Sequence, residues 1–158
     1  MNNIEMVSQR FLIGITSKER INETIELIKK YPVGGVLLYK ACYNTLEELE
    51  DLITKLMKAN SKHKYPLLIS LDQEGGRVNR LPREIENIPL AFKMSKLDNK
   101  EIYQTYSNMT ELLHNLGINF NLAPVLDTKM YDDKHAIGDR AYSDDINKII
   151  DITSIVIK

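Results

Sequence analysis

The stretch Pro66-Leu67-Leu68-Ile69-Ser70-Leu71-Asp72-Gln73-Glu74-Gly75-Gly76-Arg77-Val78-Asn79-Arg80-Leu81-Pro82 decides the fold. Its first half is an apolar run of strand length, and it passes directly into carboxylates, a Gly-Gly turn and two arginines. In α/β proteins, charge at the carboxyl end of an apolar strand marks the ligand-binding edge of a parallel sheet or barrel.

The same strand-then-helix rhythm recurs on both sides of this stretch. Upstream, residues 11–15 and 35–39 read as strands. Thr16 and Glu19 predict a capping box, with Ile21, Ile25 and Ile28 on one helical face. Thr45 and Glu48 predict another, and Leu46, Leu49, Leu52, Ile53, Leu56 and Met57 then repeat at helical spacing. Downstream, 72–97 reads as irregular. A helix carrying Ile102, Tyr106, Met109, Leu113 and Leu116 starts near Asp98 and stops at Gly117. A fourth strand lies within 118–123, and 124–142 is irregular again. A last helix starts near Asp144 or Asp145, with Ile146, Ile149, Ile150, Thr153 and Ile157 as its apolar face. About four βα units therefore predict a parallel sheet covered by helices, because parallel neighbours need crossover connections. An eight-stranded barrel needs about 250 residues, so 158 residues fit the N-terminal half of a (β/α)8 TIM barrel. A four-stranded doubly wound domain is the alternative. It would call for a Gly-rich loop after the first strand, where only Gly14 stands.

Composition excludes several classes. With 21 basic and 22 acidic side chains and a net charge of −1, the chain offers no electrostatic footprint for nucleic acid or an anionic membrane. No apolar run approaches the roughly 18 residues of a membrane span. The start, Met1-Asn2-Asn3-Ile4-Glu5, predicts no secretory signal. Cys42, the single cysteine, cannot form an internal disulfide and fits a reducing cytoplasm. His63, His114 and His135 are isolated, so no metal site is predicted.

Asp72, at the end of its strand, can accept hydrogen bonds from vicinal hydroxyls; the local pattern equally allows an aspartate that caps a turn. Gly75-Gly76 permits a sharp turn or a close backbone approach to a ligand. Arg77 and Arg80 can each donate a fork of hydrogen bonds, or pair with Glu74 or Glu84. Asp127 and Arg140 fall in one loop system, where a structural ion pair between them is the simpler reading.

Three segments resemble glycoside hydrolase family 3, on its β-N-acetylhexosaminidase branch, and they occur in that family's order. They are Gly34-Gly35-Val36-Leu37-Leu38-Tyr39, Leu71-Asp72-Gln73-Glu74-Gly75-Gly76-Arg77-Val78, and Ala123-Pro124-Val125-Leu126-Asp127 with Ile137-Gly138-Asp139-Arg140-Ala141-Tyr142. The resemblance implies one partial TIM-barrel domain over 1–158. It implies that Asp72, Arg80 and Arg140 contact the substrate and that Arg77 supports the loop. The reaction implied is retaining hydrolysis of terminal N-acetylglucosamine from a glycan or muropeptide in cell-wall turnover, without cofactor or metal. The family's pattern has serine where Ala141 stands, and Asn-Pro repeats that 130–135 lacks. The family's aspartate nucleophile and its His-Asp acid/base, in a Lys-His-Phe-Pro-Gly-His-Gly segment, have no counterpart among the 158 residues. His135 precedes the Ile-Gly-x-Arg motif and does not match that histidine. Hydrolysis of this type needs two groups flanking the scissile bond. The expectation is a chain that binds substrate but does not turn it over alone, and that self-associates or pairs with a C-terminal half. A small non-catalytic sugar-binding or regulatory module, with Asp72 and Arg140 gripping a ligand, is the rival reading, and a purely structural fragment is a third.

Overall fold

A computed structural model describes residues 2–129 and 136–158. Four strands, β1 (Leu12–Ile15), β2 (Gly35–Leu38), β3 (Leu68–Leu71) and β4 (Phe120–Asn121), form one sheet in the order β1-β2-β3-β4. Every pairing is parallel. Consecutive strands are neighbours throughout, so the sheet has no point at which the strand order reverses. That rules out the doubly wound alternative, which depends on such a switch, and matches successive units of a βα barrel.

The helices are α1 (Asn3–Ser8), α2 (Arg20–Lys30), α3 (Leu46–Asn60), α4 (Ala91–Met94), α5 (Asn99–Asn115) and α6 (Ile146–Val156). The chain divides into two compact units. The first comprises Met1–Leu71, Arg80–Ile85 and His114–Asn121; the second comprises Asp72–Asn79, Glu86–Leu113 and Leu122–Lys158.

In the first unit α2 packs on β1 and on α3. Ile28 of α2 and Leu49, Leu52, Ile53 and Leu56 of α3 are buried, as are Ile15, Val36, Leu38, Ile69 and Leu71 of the sheet. Each such side chain contributes about 1.5–3 kcal/mol by leaving water. Successive strand residues point to opposite faces, and the other face is far less covered: Leu12 is 39% exposed, Leu68 41% and Phe120 39%. Gly35 sits between Leu12 and Leu68 in register. A Cβ there would stand 2.7 Å from the Leu12 side chain and 2.6 Å from the Leu68 carbonyl oxygen, which is why the position carries none.

Several local expectations are corrected. Thr16 and Glu19 form no capping box: α2 begins at Arg20, and its N-cap, Glu19, makes no side-chain capping bond. Thr45 does cap α3, accepting from the Glu48 N–H at 3.2 Å, but the Glu48 carboxylate accepts from the Asn44 N–H. Met57 is exposed on α3. On α6, Ile149, Ile152 and Thr153 are buried, whereas Ile146 and Ile150 are exposed, as is Ile157 just beyond the helix. Helices α1 and α4 break stretches without helical periodicity. The fourth strand is only two residues long because the Asn119 side chain takes over the ladder before it. Its Oδ1 accepts from the Ile69 N–H at 2.8 Å and its Nδ2 donates to the Leu67 carbonyl at 3.1 Å. Asp98 and Glu101 do form a reciprocal capping box at the start of α5, and Gly117 closes it at φ +84°.

Candidate functional site

The chain leaves β3 at Leu71 and enters the second unit at Asp72. Gln73 is buried, and its amide donates to Asn87 Oδ1 at 3.4 Å. Asn87 in turn donates to the Gly76 carbonyl at 2.7 Å, and the Gly76 N–H donates to the Ile88 carbonyl at 2.9 Å. Gly75 and Gly76 both have positive φ, +93° and +54°. A Cβ on Gly75 would lie 2.6 Å from the Ile88 side chain, and one on Gly76 would strike Leu90. The two glycines thus admit the chain's own segment 88–90. The close approach they allow is to protein, a correction to the ligand-approach reading.

Opposite this turn stands the short 3₁₀ turn Gly138–Arg140. Two ion pairs join the segments in opposite directions. Arg140 donates through Nε to Glu74 Oε2 at 2.7 Å and through Nη2 to Glu74 Oε1 at 2.6 Å. This is the bidentate fork that matches a planar guanidinium to a carboxylate. Its Nη1 donates to the Ala136 carbonyl at 3.3 Å. Arg77 runs the other way: Nε donates to Asp139 Oδ1 at 2.9 Å, and Nη2 to the carbonyls of Ala136 at 2.6 Å and Ile137 at 3.2 Å. Arg77 is therefore a loop-supporting residue. Just after the turn, Ala141 is fully buried, and the Tyr142 and Tyr106 hydroxyls share a buried hydrogen bond of 2.6 Å. Burial raises both phenols above their ordinary range, so they stay neutral.

The hydrogen bonds that Arg140 donates to Glu74 hold its guanidinium above the usual arginine range, and the charges of Glu74, Asp72 and Asp127 add to this. One permanent cation thus stands among three carboxylates. Such a neighbourhood repels anions and accepts hydrogen bonds, which suits a neutral, hydroxyl-rich ligand. Glu74 occupies two of the five arginine N–H groups and Ala136 a third.

The structure brings Asp72 and Arg140 together within the second unit, close enough for their charges to interact. The ion pair expected between Asp127 and Arg140 is made by Glu74, with Asp127 acting only through space. Glu74 itself was legible only as a partner for an arginine. The missed signal is its place, two residues beyond Asp72 in the same acidic stretch. Arg80 belongs to the first unit, where its carbonyl accepts from the Tyr43 hydroxyl at 2.9 Å. His135 and the loop 130–135 lie outside the described residues. Among the described residues no three His, Cys, Asp or Glu side chains are grouped to hold a metal ion, and no helix is long and apolar enough to cross a membrane.

Residues 2–158 match the family described as the glycosyl hydrolase family 3 N terminal domain. A beta-hexosaminidase of Photobacterium profundum is 37% identical over 150 residues, covering 93% of this chain and 43% of that protein. A beta-hexosaminidase of Idiomarina loihiensis is 33% identical over 139 residues, covering 85% of the chain and 41% of the relative. The chain thus spans less than half the length of these relatives. Among solved structures, a glycoside hydrolase family 3 beta-N-acetylglucosaminidase from Paenibacillus sp. str. FPU-7 superposes with a TM-score of 0.87 at 26% identity, covering 99% of this chain and 30% of that one.

Proposed function

Since the chain belongs to glycoside hydrolase family 3, we propose that it forms the substrate-binding part of a retaining β-N-acetylhexosaminidase acting on terminal N-acetylglucosamine of a cell-wall glycan or muropeptide. The observation that carries this reading is the Arg140 guanidinium, fixed by Glu74 within electrostatic reach of the Asp72 carboxylate. In the proposal Asp72 accepts from two sugar hydroxyls, and Arg140 donates to a hydroxyl or carbonyl oxygen from its remaining N–H groups. Arg80, two residues beyond Val78 at the end of that signature, supplies a further contact. Residues 1–158 are read as one partial barrel domain. A cytoplasmic site of action accords with the lone thiol of Cys42, which is buried and donates to the Ile15 carbonyl.

The chain by itself is expected to be inactive, because neither flanking catalytic group of the family's motif is found in the 158 residues. An aryl β-N-acetylglucosaminide incubated with the pure chain should release no phenol above background. Turnover that survives Asp72→Ala would put the chemistry elsewhere. Pairing belongs to the same reading. Leu12, Leu68 and Phe120 leave one sheet face partly open to water, and soluble monomers rarely leave large apolar patches uncovered. Self-association, or association with a C-terminal half-barrel, would cover that face. Sedimentation at micromolar concentration checks the first, and a compact monomer over the whole range would contradict it.

A further inference from the structure

The first unit carries a concave feature rich in positive charge. Between α2 and α3 lies a cleft of about 620 Å³. Lys29 reaches it from the last turn of α2, and Lys55, Lys58 and Lys62 from α3 and the residues after it. Glu26 is the one acidic residue in its lining. In a chain of net charge −1, this is a strong local excess of positive charge.

Lysines at helix ends often do no more than offset the helix dipole. Each carboxyl end carries about half a negative charge, so the two ends together offset about one unit. With Glu26 and the Asp51 that pairs with Lys55 counted, about one positive charge remains. The pairing pattern shows where the excess lies. Lys29 is held by Glu26 at 2.7 Å and Lys55 by Asp51 at 2.5 Å. Among the described residues, Lys58 and Lys62 have no acidic partner. The walls are braced as well: His63 Nε2 donates to the Ile28 carbonyl at 2.7 Å, tying the segment after α3 to α2. The buried Asn60 amide donates to the Tyr65 carbonyl at 2.8 Å. Ser61 and Asn22 add neutral hydrogen-bonding groups to the lining.

We infer that this cleft binds a compact polyanion of the diphosphate or polyphosphate class. Every cation in the lining is an ammonium and none is a guanidinium. Ammonium groups act as rotatable point charges and suit tetrahedral phosphoryl groups, whereas planar carboxylates are matched by the arginine fork. Several ammonium groups spread around one concavity favour an anion whose charge is spread over more than one centre. The inference does not depend on the proposed sugar contacts of Asp72 and Arg140, whose surroundings carry the reverse charge.

The test is an amide chemical-shift titration of the whole chain with inorganic pyrophosphate at constant ionic strength. Saturable shifts are expected at Ile25, Ala59 and Ser61. The double variant Lys58→Ala/Lys62→Ala should weaken binding about tenfold or more, since each removes an uncompensated charge. Glu26→Gln should tighten it. The variants replace exposed side chains, and an otherwise unchanged spectrum certifies their fold. Shifts that do not saturate, that survive the double variant, or that tricarballylate reproduces at equal concentration would overturn the inference.

Discussion

The two ion pairs that cross between the segments after β3 and β4 have the same chemistry and different surroundings. Arg140–Glu74 is bidentate, with the carboxylate side chain 9% exposed and the guanidinium 26%. Arg77–Asp139 has one carboxylate contact and is about half exposed on both sides, at 52% and 45%. Water screens the second pair, and its net worth is small. The first pair lies where a lost partner cannot be replaced cheaply by solvent. The difference also separates roles: the exposed pair fastens a loop, while the sheltered pair fixes a guanidinium whose charge interacts with that of Asp72.

Removing Glu74 gives the sharpest contrast. Glu74→Ala strands a partly buried guanidinium and is expected to cost about 2–4 kcal/mol in chemical denaturation. A loss below about 1 kcal/mol would make the two pairs equivalent and break the comparison. Next in size is Tyr142→Phe, which leaves the buried Tyr106 hydroxyl without its partner. Urea unfolding should show a loss of about 1–2 kcal/mol.

Alkaline pH extends the contrast to phenols. Burial raises Tyr43, Tyr106 and Tyr142 above the ordinary value of about 10. A raised folded value means that the stability these groups contribute is complete below about pH 10 and is lost as pH rises through their folded values. Ultraviolet titration should therefore find three of the eight tyrosines resisting ionisation until the chain unfolds. Eight phenols titrating together near pH 10 in the folded protein would contradict the burial. The smallest effect belongs to the exposed pair. Arg77→Ala or Asp139→Asn should change stability by about 0–1 kcal/mol, and less in 1 M salt, where the screening length is about 3 Å.

Much of this was legible in the chain itself. The strands around Val36, Ile69 and Leu71 are short apolar runs bounded by turns, and α3 and α5 carry long periodic faces. The expected place of Asp72 followed from the end of such a run. Other features were hidden for physical reasons. α1 is too short for its periodicity to register, and its capping by Asn2 depends on local geometry. The missing cap at Thr16 shows that a matching spacing does not fix where a helix starts. Gly75 and Gly76 announced a turn, but only the folded position of Ile88 and Leu90 shows what fills the space beside them. The partner of Arg140 lies 66 residues away in sequence, and no local pattern chooses between Glu74 and Asp127.

The central claim is that Arg140, aimed by Glu74, and Asp72 together hold a sugar. It is tested most directly by following the Arg140 Nε–H resonance while N-acetylglucosamine is added to the labelled chain. The account expects a saturable shift of that resonance with the amides of 72–76 and 138–141. The shift should be lost in Asp72→Ala and kept in Arg77→Ala. An Arg140 resonance that does not move, or one that moves equally in Asp72→Ala, would contradict it.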